Sequence, residues 1–161
     1  MLKIIDENFM NKMSLEAKAS TRKRVHHNIH KTLDEQIHRL VIAAEPETYM
    51  RPHRHTDKWE LLTLLRGSAS IIIFNDNGTV SSKITLSESS DGAKSLEIPA
   101  GLWHVFFVND PDTILIEVKS GPYLPIEEKD FANWAPPENT SNIVKTLNFY
   151  KTSKINDKYY K

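Results

Sequence analysis

The sequence contains no cysteine and carries no net charge, and both absences limit what the protein can be. Without cysteine there can be no disulfide bond and no thiolate ligand for a metal, and this composition fits a reducing compartment. The 21 basic and 21 acidic residues balance each other. There is therefore no electrostatic reason to expect a nucleic-acid partner.

Long apolar runs are absent as well. No stretch of about 18 apolar residues occurs, so we expect no segment to cross a membrane. Asp6, Glu7 and Asn8 interrupt the apolar character of the N-terminus, and a signal peptide is not expected. The length of 161 residues suits one domain with one core. We expect a soluble, cytoplasmic protein.

The N-terminal residues have the apolar spacing of a helix. Apolar side chains recur at every fourth position, at Ile5, Phe9, Met13 and Ala17. This spacing predicts a helix over residues 5–19, with Asp6 as its N-cap. We expect residues 1–20 to pack as a helix against the rest of the domain or against a partner subunit.

The remainder of the chain favours β-structure. Short apolar or alternating segments separated by turn residues predict about eight strands, over 22–30, 36–44, 59–65, 69–74, 79–86, 94–98, 103–108 and 113–119. This pattern is typical of an all-β barrel or sandwich. After the last strand, the prolines of 121–138 indicate an extended arm, with a short helix possible at 127–133. Residues 139–161 are predicted to form a polar tail that is partly mobile.

The segment 52–67 has the residues of a metal site. His53 and His55 are two positions apart, so on a strand their side chains would lie on one face, about 6.5–7 Å apart. Glu60, after a short turn, could bring a carboxylate to the same point, and His104 ends a downstream Pro-x-Gly-x-x-His run. Three imidazoles and a carboxylate suit a divalent first-row metal. A chance His-x-His pair is common on surface strands, but the composite pattern favours the metal site.

This composite pattern carries a family resemblance. His-x-His-x4-Glu-x6-Gly over 53–67, followed by Pro-x-Gly-x2-His over 99–104, resembles the two motifs of the cupin superfamily. More narrowly, the chain resembles the WbuC family of cupin-fold metalloproteins, which are found in bacterial gene clusters for O-antigen synthesis. The resemblance covers about residues 20–138 and rests on Arg24, Asn28, His30, Arg39 and the segments 49–55, 58–60, 65–67, 98–104, 117–123 and 131–136. Glu47 and Val108 depart from the Gly and Asn of the general cupin motifs, but neither departure removes a ligand.

The resemblance implies a fold and sharpens the expected site. It implies an antiparallel jelly-roll barrel over 21–138, with the N-terminal helix and the extended C-terminal arm attached. The predicted ligands are His53, His55, Glu60 and His104. They would leave two positions open on one six-coordinate ion, which is typical of a working metal rather than a structural one. Iron, manganese, nickel, cobalt and zinc all suit these ligands, so the sequence does not identify the metal.

Several polar residues are candidates for the substrate pocket. If the histidines face the barrel interior, strand alternation predicts that Tyr49 and Arg51 do so as well. Arg51 could bind an anionic group or form an internal salt bridge, and Tyr49 could donate a proton or fill the barrel. Glu117 and Lys119 share a strand face and could form an acid–base pair in the cavity or face solvent.

The segment 22–30 has an unusually polar face for a strand. That face consists of Arg22, Arg24, His26, Asn28 and His30. It would form either an exposed edge or the lining of a pocket. The family resemblance at Arg24, Asn28 and His30, together with Arg39, favours a role in binding substrate.

Two classes of function fit these features. The first is a metal-dependent isomerase or epimerase that acts on a sugar, sugar acid or nucleotide sugar of O-antigen synthesis, with an iron oxygenase as the alternative chemistry. The second is a module that senses a sugar without catalysis. The link to sugars comes from the resemblance and not from the residues themselves. We expect a small polar or anionic ligand and a homodimer formed through segment 22–30 and the preceding helix.

Overall fold

Alternating apolar residues form eight strands in two antiparallel sheets, as seen in a computed structural model that describes residues 2–159. The five-stranded sheet has the order β1 (Arg24–Asn28), β2 (Ile37–Ala44), β8 (Thr113–Ser120), β3 (Glu60–Arg66) and β6 (Ser95–Ile98). The three-stranded sheet has the order β5 (Val80–Ser87), β4 (Ser68–Phe74) and β7 (Trp103–Val108). The predicted all-β jelly-roll barrel is confirmed.

The main core lies between the two sheets. Inward-facing residues of both sheets form one buried cluster, including Ile42, Leu62 and Leu115 on one side and Ile71 and Phe106 on the other. Burying each of these side chains stabilises the fold by about 1.5–3 kcal/mol. The core continues into the wall of a cavity, because Leu62 and Phe106 belong to both.

Helix α1 (Glu7–Ala19) covers the outer face of the five-stranded sheet. Its N-cap is the predicted Asp6, whose carboxylate accepts a hydrogen bond from the Phe9 amide at 2.9 Å. The side chains of Met10, Met13 and Ala17 pack against that sheet. The N-terminal helix expected from the apolar spacing is therefore present. Its buried face includes Met10 in addition to the predicted Met13 and Ala17.

The C-terminal region differs from the predicted polar tail of 139–161. Within the described part of it, α2 (Ile143–Thr152) packs on the outer face of the three-stranded sheet, where Tyr150 is buried against Phe74 and Phe107. The segment has a low apolar content, but its few aromatic side chains supply a buried contact. Residues 160 and 161 lie outside the described residues. Neither helix is long and apolar enough to span a membrane, as judged over residues 2–159.

The arm between β8 and α2 runs along the barrel mouth. A 3₁₀ turn at Glu128–Asp130 takes the place of the short helix considered for 127–133. Tyr123 and Ile126 of this arm line the same cavity. The arm therefore forms part of the cavity wall.

Candidate metal centre and its cavity

Two of the predicted ligands face each other because their backbones pair. The His53 amide donates to the His104 carbonyl at 3.0 Å, and the His104 amide donates back to the His53 carbonyl at 2.8 Å. Residues that exchange both hydrogen bonds lie directly opposite each other in an antiparallel pair. Their imidazole centroids are accordingly 4.7 Å apart.

Glu60 and His55 join this pair from β3 and the loop before it. Glu60 is buried, and its Oε2 atom lies 3.0 Å from Nε2 of His104. Ligand atoms of His53, Glu60 and His104 all lie within 4.8 Å of one another. Nε2 of His55 is 2.9 Å from Oε1 of Glu60, although its alignment is not that of a hydrogen bond. The structure thus brings all four predicted ligand residues together, with His55 the least closely held.

Backbone carbonyls hold two of the rings in the orientation that metal binding needs. Nδ1 of His53 lies 3.1 Å from the Arg51 carbonyl, and Nδ1 of His104 lies 2.8 Å from the Leu102 carbonyl. A carbonyl only accepts, so each Nδ1 carries a proton and Nε2 faces the centre. Burial, together with the neighbouring His104, lowers the pKa of His53 to about 3, which keeps this imidazole neutral.

Glu60 supplies the negative charge of the centre. Burial opposes its ionisation, but the hydrogen bond with His104, the nearby His55 and the charge of Lys119 outweigh burial and hold the pKa of Glu60 well below its usual range. Nε2 of His104 and Oε2 of Glu60 lie 3.0 Å apart, so both atoms can act as ligands of one ion. These residues therefore fit a divalent cation bound by three imidazoles and one carboxylate.

The centre opens into a cavity of about 630 Å³ that is open to solvent on one side. This volume lies in the range of small-molecule sites. Leu40, Ile42, Leu62 and Phe106 provide an apolar lining. The polar face predicted for segment 22–30 also lines it, through Arg22, Arg24, His26, Asn28 and His30. Strand β1 is thus both the edge of its sheet and a wall of the cavity.

The candidate substrate-binding residues do not all reach this cavity. Arg24 does, but its guanidinium already donates to the Tyr49 carbonyl at 2.7 Å and to Glu138 at 2.8 Å. Asn28 and His30 line the cavity as well. Arg39 does not contribute to its wall, because its half-exposed side chain pairs with Glu35 four residues earlier in the chain.

Tyr49 and Arg51 do not face the cavity, contrary to the alternation expected for a strand. The Tyr49 hydroxyl donates to the Pro136 carbonyl at 2.6 Å, and its ring lies in the outer core with Tyr150. Arg51 forms a salt bridge with Glu128 at 2.8 Å. The physical reason is that the chain around Pro52 forms no continuous strand, since proline cannot donate to a sheet and the period of two is lost.

Glu117 and Lys119 extend from β8 into the cavity beside Glu60. Nζ of Lys119 lies 2.5 Å from Oε1 of Glu117 and 3.1 Å from Oε1 of Glu60. Burial opposes the charge of Lys119, but the two carboxylates raise its pKa above the usual value. Burial and the charge of Glu60 raise the pKa of Glu117. Lys119 therefore stays an ammonium ion, and Glu117 is the group of this pair better suited to carry a proton.

His38 is a cavity residue that the sequence reasoning missed. Its ring stacks on that of His30, with centroids 4.2 Å apart and planes 10° apart. Its Nε2 atom lies 3.0 Å from the Leu33 carbonyl. Alternation along β2 could have predicted this position, because His38 lies on the same strand face as Leu40 and Ile42.

Comparison with known proteins supports the fold. The family described as "Domain of unknown function (DUF6016)" matches residues 5–86. No curated protein sequence matches the chain. Among solved structures, the TT1209 protein from Thermus thermophilus is similar with a TM-score of 0.52 and 16% identity, over 74% of this chain and 97% of that one. The SPY1581 protein of unknown function from Streptococcus pyogenes has a TM-score of 0.51 and 12% identity, over 77% and 91%.

A cupin-superfamily protein is also similar. It is described as a sugar phosphate isomerase from Silicibacter pomeroyi, with a TM-score of 0.42 and 17% identity over 54% of this chain and 52% of that one. At this TM-score and identity, nothing about the chain follows from the similarity. The two antiparallel sheets of this chain form the cupin-type jelly roll. The narrower resemblance to the WbuC family stays a prediction.

Proposed function

The chain belongs to the DUF6016 family, a domain of unknown function, and we propose that it is a metal-dependent isomerase or epimerase of a sugar or sugar-nucleotide substrate. One observation carries this proposal. His53, His55, Glu60 and His104 converge at a cavity of about 630 Å³, and Glu117 lines the same cavity. A closed structural site would not need such a space beside it.

The proposed chemistry divides between the metal and the protein. A bound divalent ion would act as a Lewis acid that polarises a carbonyl or hydroxyl group of the substrate. Glu117, as a carboxylate, would take a proton from the carbon next to that group and return it to the neighbouring carbon on the same face, which gives isomerisation. Epimerisation would need a second proton donor on the opposite face of the substrate. A buried carboxyl with a raised pKa suits this role, because a proton carrier works best when its pKa is close to the working pH.

Lys119 would position the carboxylates and not act as a base. Its ammonium group contacts both Glu117 and Glu60, so it holds their side chains in fixed relation to each other. The apolar lining from Leu62 and Phe106 would keep water away from the reacting carbon. Tyr49 has no role in this scheme, since its hydroxyl is engaged outside the cavity.

The biological setting is a further part of the proposal. The resemblance to the WbuC family suggests an intermediate of O-antigen synthesis in the cytoplasm as the substrate. The exposed edge strand β1 offers a surface through which a homodimer would form. Light scattering on the purified protein tests the homodimer independently of the chemistry.

Metal analysis followed by hydrogen exchange tests the proposed reaction. The metal-loaded protein would be incubated with sugar nucleotides and sugar acids in D₂O, and deuterium incorporation followed by NMR. We expect exchange into one substrate that needs both the metal and Glu117, with Glu117→Gln as the inactive variant. Oxygen uptake by the iron form would instead indicate an oxygenase. Stabilisation by a sugar without exchange would indicate a sensor, and absence of bound metal would overturn the proposal.

A further inference from the structure

Two buried polar atoms on one wall of the cavity have no hydrogen-bond partner within residues 2–159. They are Oδ1 of Asn28 and Nε2 of His30. The His30 side chain belongs to a residue that is only 4% exposed, and both residues line the cavity. Unpartnered buried polar atoms are rare in folded proteins, and two on the same wall of a cavity indicate a ligand that would satisfy them.

The hydrogen-bonding character of His30 follows from its backbone neighbour. The Arg39 amide lies 3.1 Å from Nδ1 of His30, and an amide can only donate, so Nδ1 accepts. The Arg39 carbonyl is also 3.1 Å from Nδ1, but it already accepts from the Ile29 amide at 2.8 Å, whereas a proton on Nδ1 would leave the Arg39 amide without this acceptor. Nε2 therefore carries the N–H of the ring and is the donor. Stacking on His38 fixes the ring in this orientation.

The wall thus offers one donor, at His30, and one acceptor, at Asn28. A hydroxyl group matches both, because it accepts and donates at once. A carboxylate or a fully ionised phosphate would satisfy His30 but would leave Oδ1 of Asn28 without a donor. Two cations lie beside these atoms, Arg24 and Arg22, and each pairs with Glu138 at 2.8 Å, so both guanidinium groups already have an anionic partner.

The apolar lining between this wall and the metal centre indicates the body of the ligand. Leu40 and Ile42 lie on β2, next to β1, and present an apolar surface inside the same cavity. A pyranose ring has hydroxyl groups around its rim and an apolar C–H face, so it suits both surfaces.

We propose that Asn28 and His30 form a hydroxyl-recognition subsite, and that the ligand is an uncharged pyranose unit bound between this wall and the metal centre. The inference rests on the proposed function, which it deepens by naming what the far end of the cavity recognises. It concerns hydroxyl groups and not phosphates or carboxylates.

Asn28→Leu is the sharpest variant for testing this subsite, since it removes the acceptor without disturbing the Arg39 amide that His30 satisfies. His27→Leu is the matched control, because His27 lies on the same strand but is exposed and outside the cavity lining. The probes are D-glucose, D-galactose, D-mannose and L-rhamnose, with inorganic phosphate as the anion probe. Binding to the zinc-loaded protein would be followed by saturation-transfer NMR and calorimetry.

We expect at least one pyranose to bind, with Asn28→Leu weakening it tenfold or more and His27→Leu leaving it unchanged. One deoxy analogue of that pyranose should lose affinity for the wild type but not for Asn28→Leu, which identifies the hydroxyl at Asn28. Failure of all four pyranoses to bind, or equal binding by wild type and Asn28→Leu, would overturn the subsite.

Metal content, measured on the same samples, separates this result from the proposed function. If the protein binds metal and catalyses exchange, but Asn28→Leu does not change its sugar binding, only the subsite proposal is contradicted. If the protein binds no metal, but Asn28→Leu weakens its sugar binding, the proposed reaction is contradicted and the subsite proposal is supported. Tighter binding of phosphate than of any pyranose, with a dependence on His30→Phe alone, would also contradict the hydroxyl assignment.

Discussion

Nζ of Lys119 lies 3.1 Å from Oε1 of Glu60, so a cation of the protein itself already contacts the carboxylate that the metal would use. Both side chains are largely removed from water, and Glu117 adds a second carboxylate to the same ammonium group. Lys119 therefore supplies positive charge to two buried carboxylates in the metal-free protein, in addition to the hydrogen bond between Glu60 and His104.

Replacing Lys119 by Met should destabilise the metal-free protein by about 3 kcal/mol, because removing one member of a buried pair leaves the other charge uncompensated. Metal should restore more stability to this variant than to the wild type, since the ion supplies the missing positive charge. Thermal unfolding with and without zinc measures both effects. Lys12→Met, at an exposed lysine on α1, is the control and should change neither value measurably. Equal metal-induced shifts in wild type and Lys119→Met would show that Lys119 does not compensate Glu60.

Removal of the metal should lower the stability of the wild type but not of a ligand variant. A ligand at about 1,000 times its dissociation constant stabilises the native state by about 4 kcal/mol. We expect EDTA to lower the melting temperature of the wild type and to leave that of the His55→Ala, Glu60→Ala double variant unchanged. Elemental analysis checks the stoichiometry, which should fall from one ion per chain to none. One ion per chain retained by the double variant would refute the site, and His27→Ala serves as the histidine control.

Two glycines with positive φ should differ in their tolerance of a methyl group. Gly67 has φ +82°, and an added Cβ would lie 2.5 Å from Oγ1 of Thr113, whereas Gly101 has φ +86° with no atom within 4 Å among the described residues. We expect Gly101→Ala to cost about 1 kcal/mol from backbone strain alone. Gly67→Ala should cost about 3 kcal/mol, because overpacking against β8 adds to that strain. Urea unfolding measures both, and equal losses would show that the contact with Thr113 relaxes freely.

The sequence was informative wherever a local pattern determined the structure. The strand limits followed from alternation and turns, and His53, Glu60 and His104 followed from a motif whose spacing survives in the folded chain. Patterns failed where tertiary contacts decided the outcome. Tyr49 was assigned to the cavity by a strand period that the chain around Pro52 does not keep.

The C-terminal segment shows a second kind of failure. Its overall polarity predicted a tail, but burial of Tyr150 depends on an apolar sheet face that the composition of the segment itself cannot reveal. The unpartnered atoms of Asn28 and His30 could not be predicted from the sequence either, because the hydrogen-bond partners of a side chain depend on the folded structure.

Lys83 should anchor α2 to the barrel, since its ammonium group lies within hydrogen-bonding distance of three carbonyls at the end of this helix. The acceptors are Tyr150 at 2.7 Å, Lys151 at 3.1 Å and Ser153 at 3.0 Å. Carbonyls in the last turn lack partners within the helix, and a cation there also interacts favourably with the helix dipole. We expect Lys83→Met to cost about 2 kcal/mol and to speed amide exchange in α2, while amides of β7 at the metal centre keep their protection. Lys151→Met removes an exposed lysine from the same turn and should leave exchange unchanged. If both variants exchange alike, general charge at the helix end, and not these three contacts, holds α2 in place.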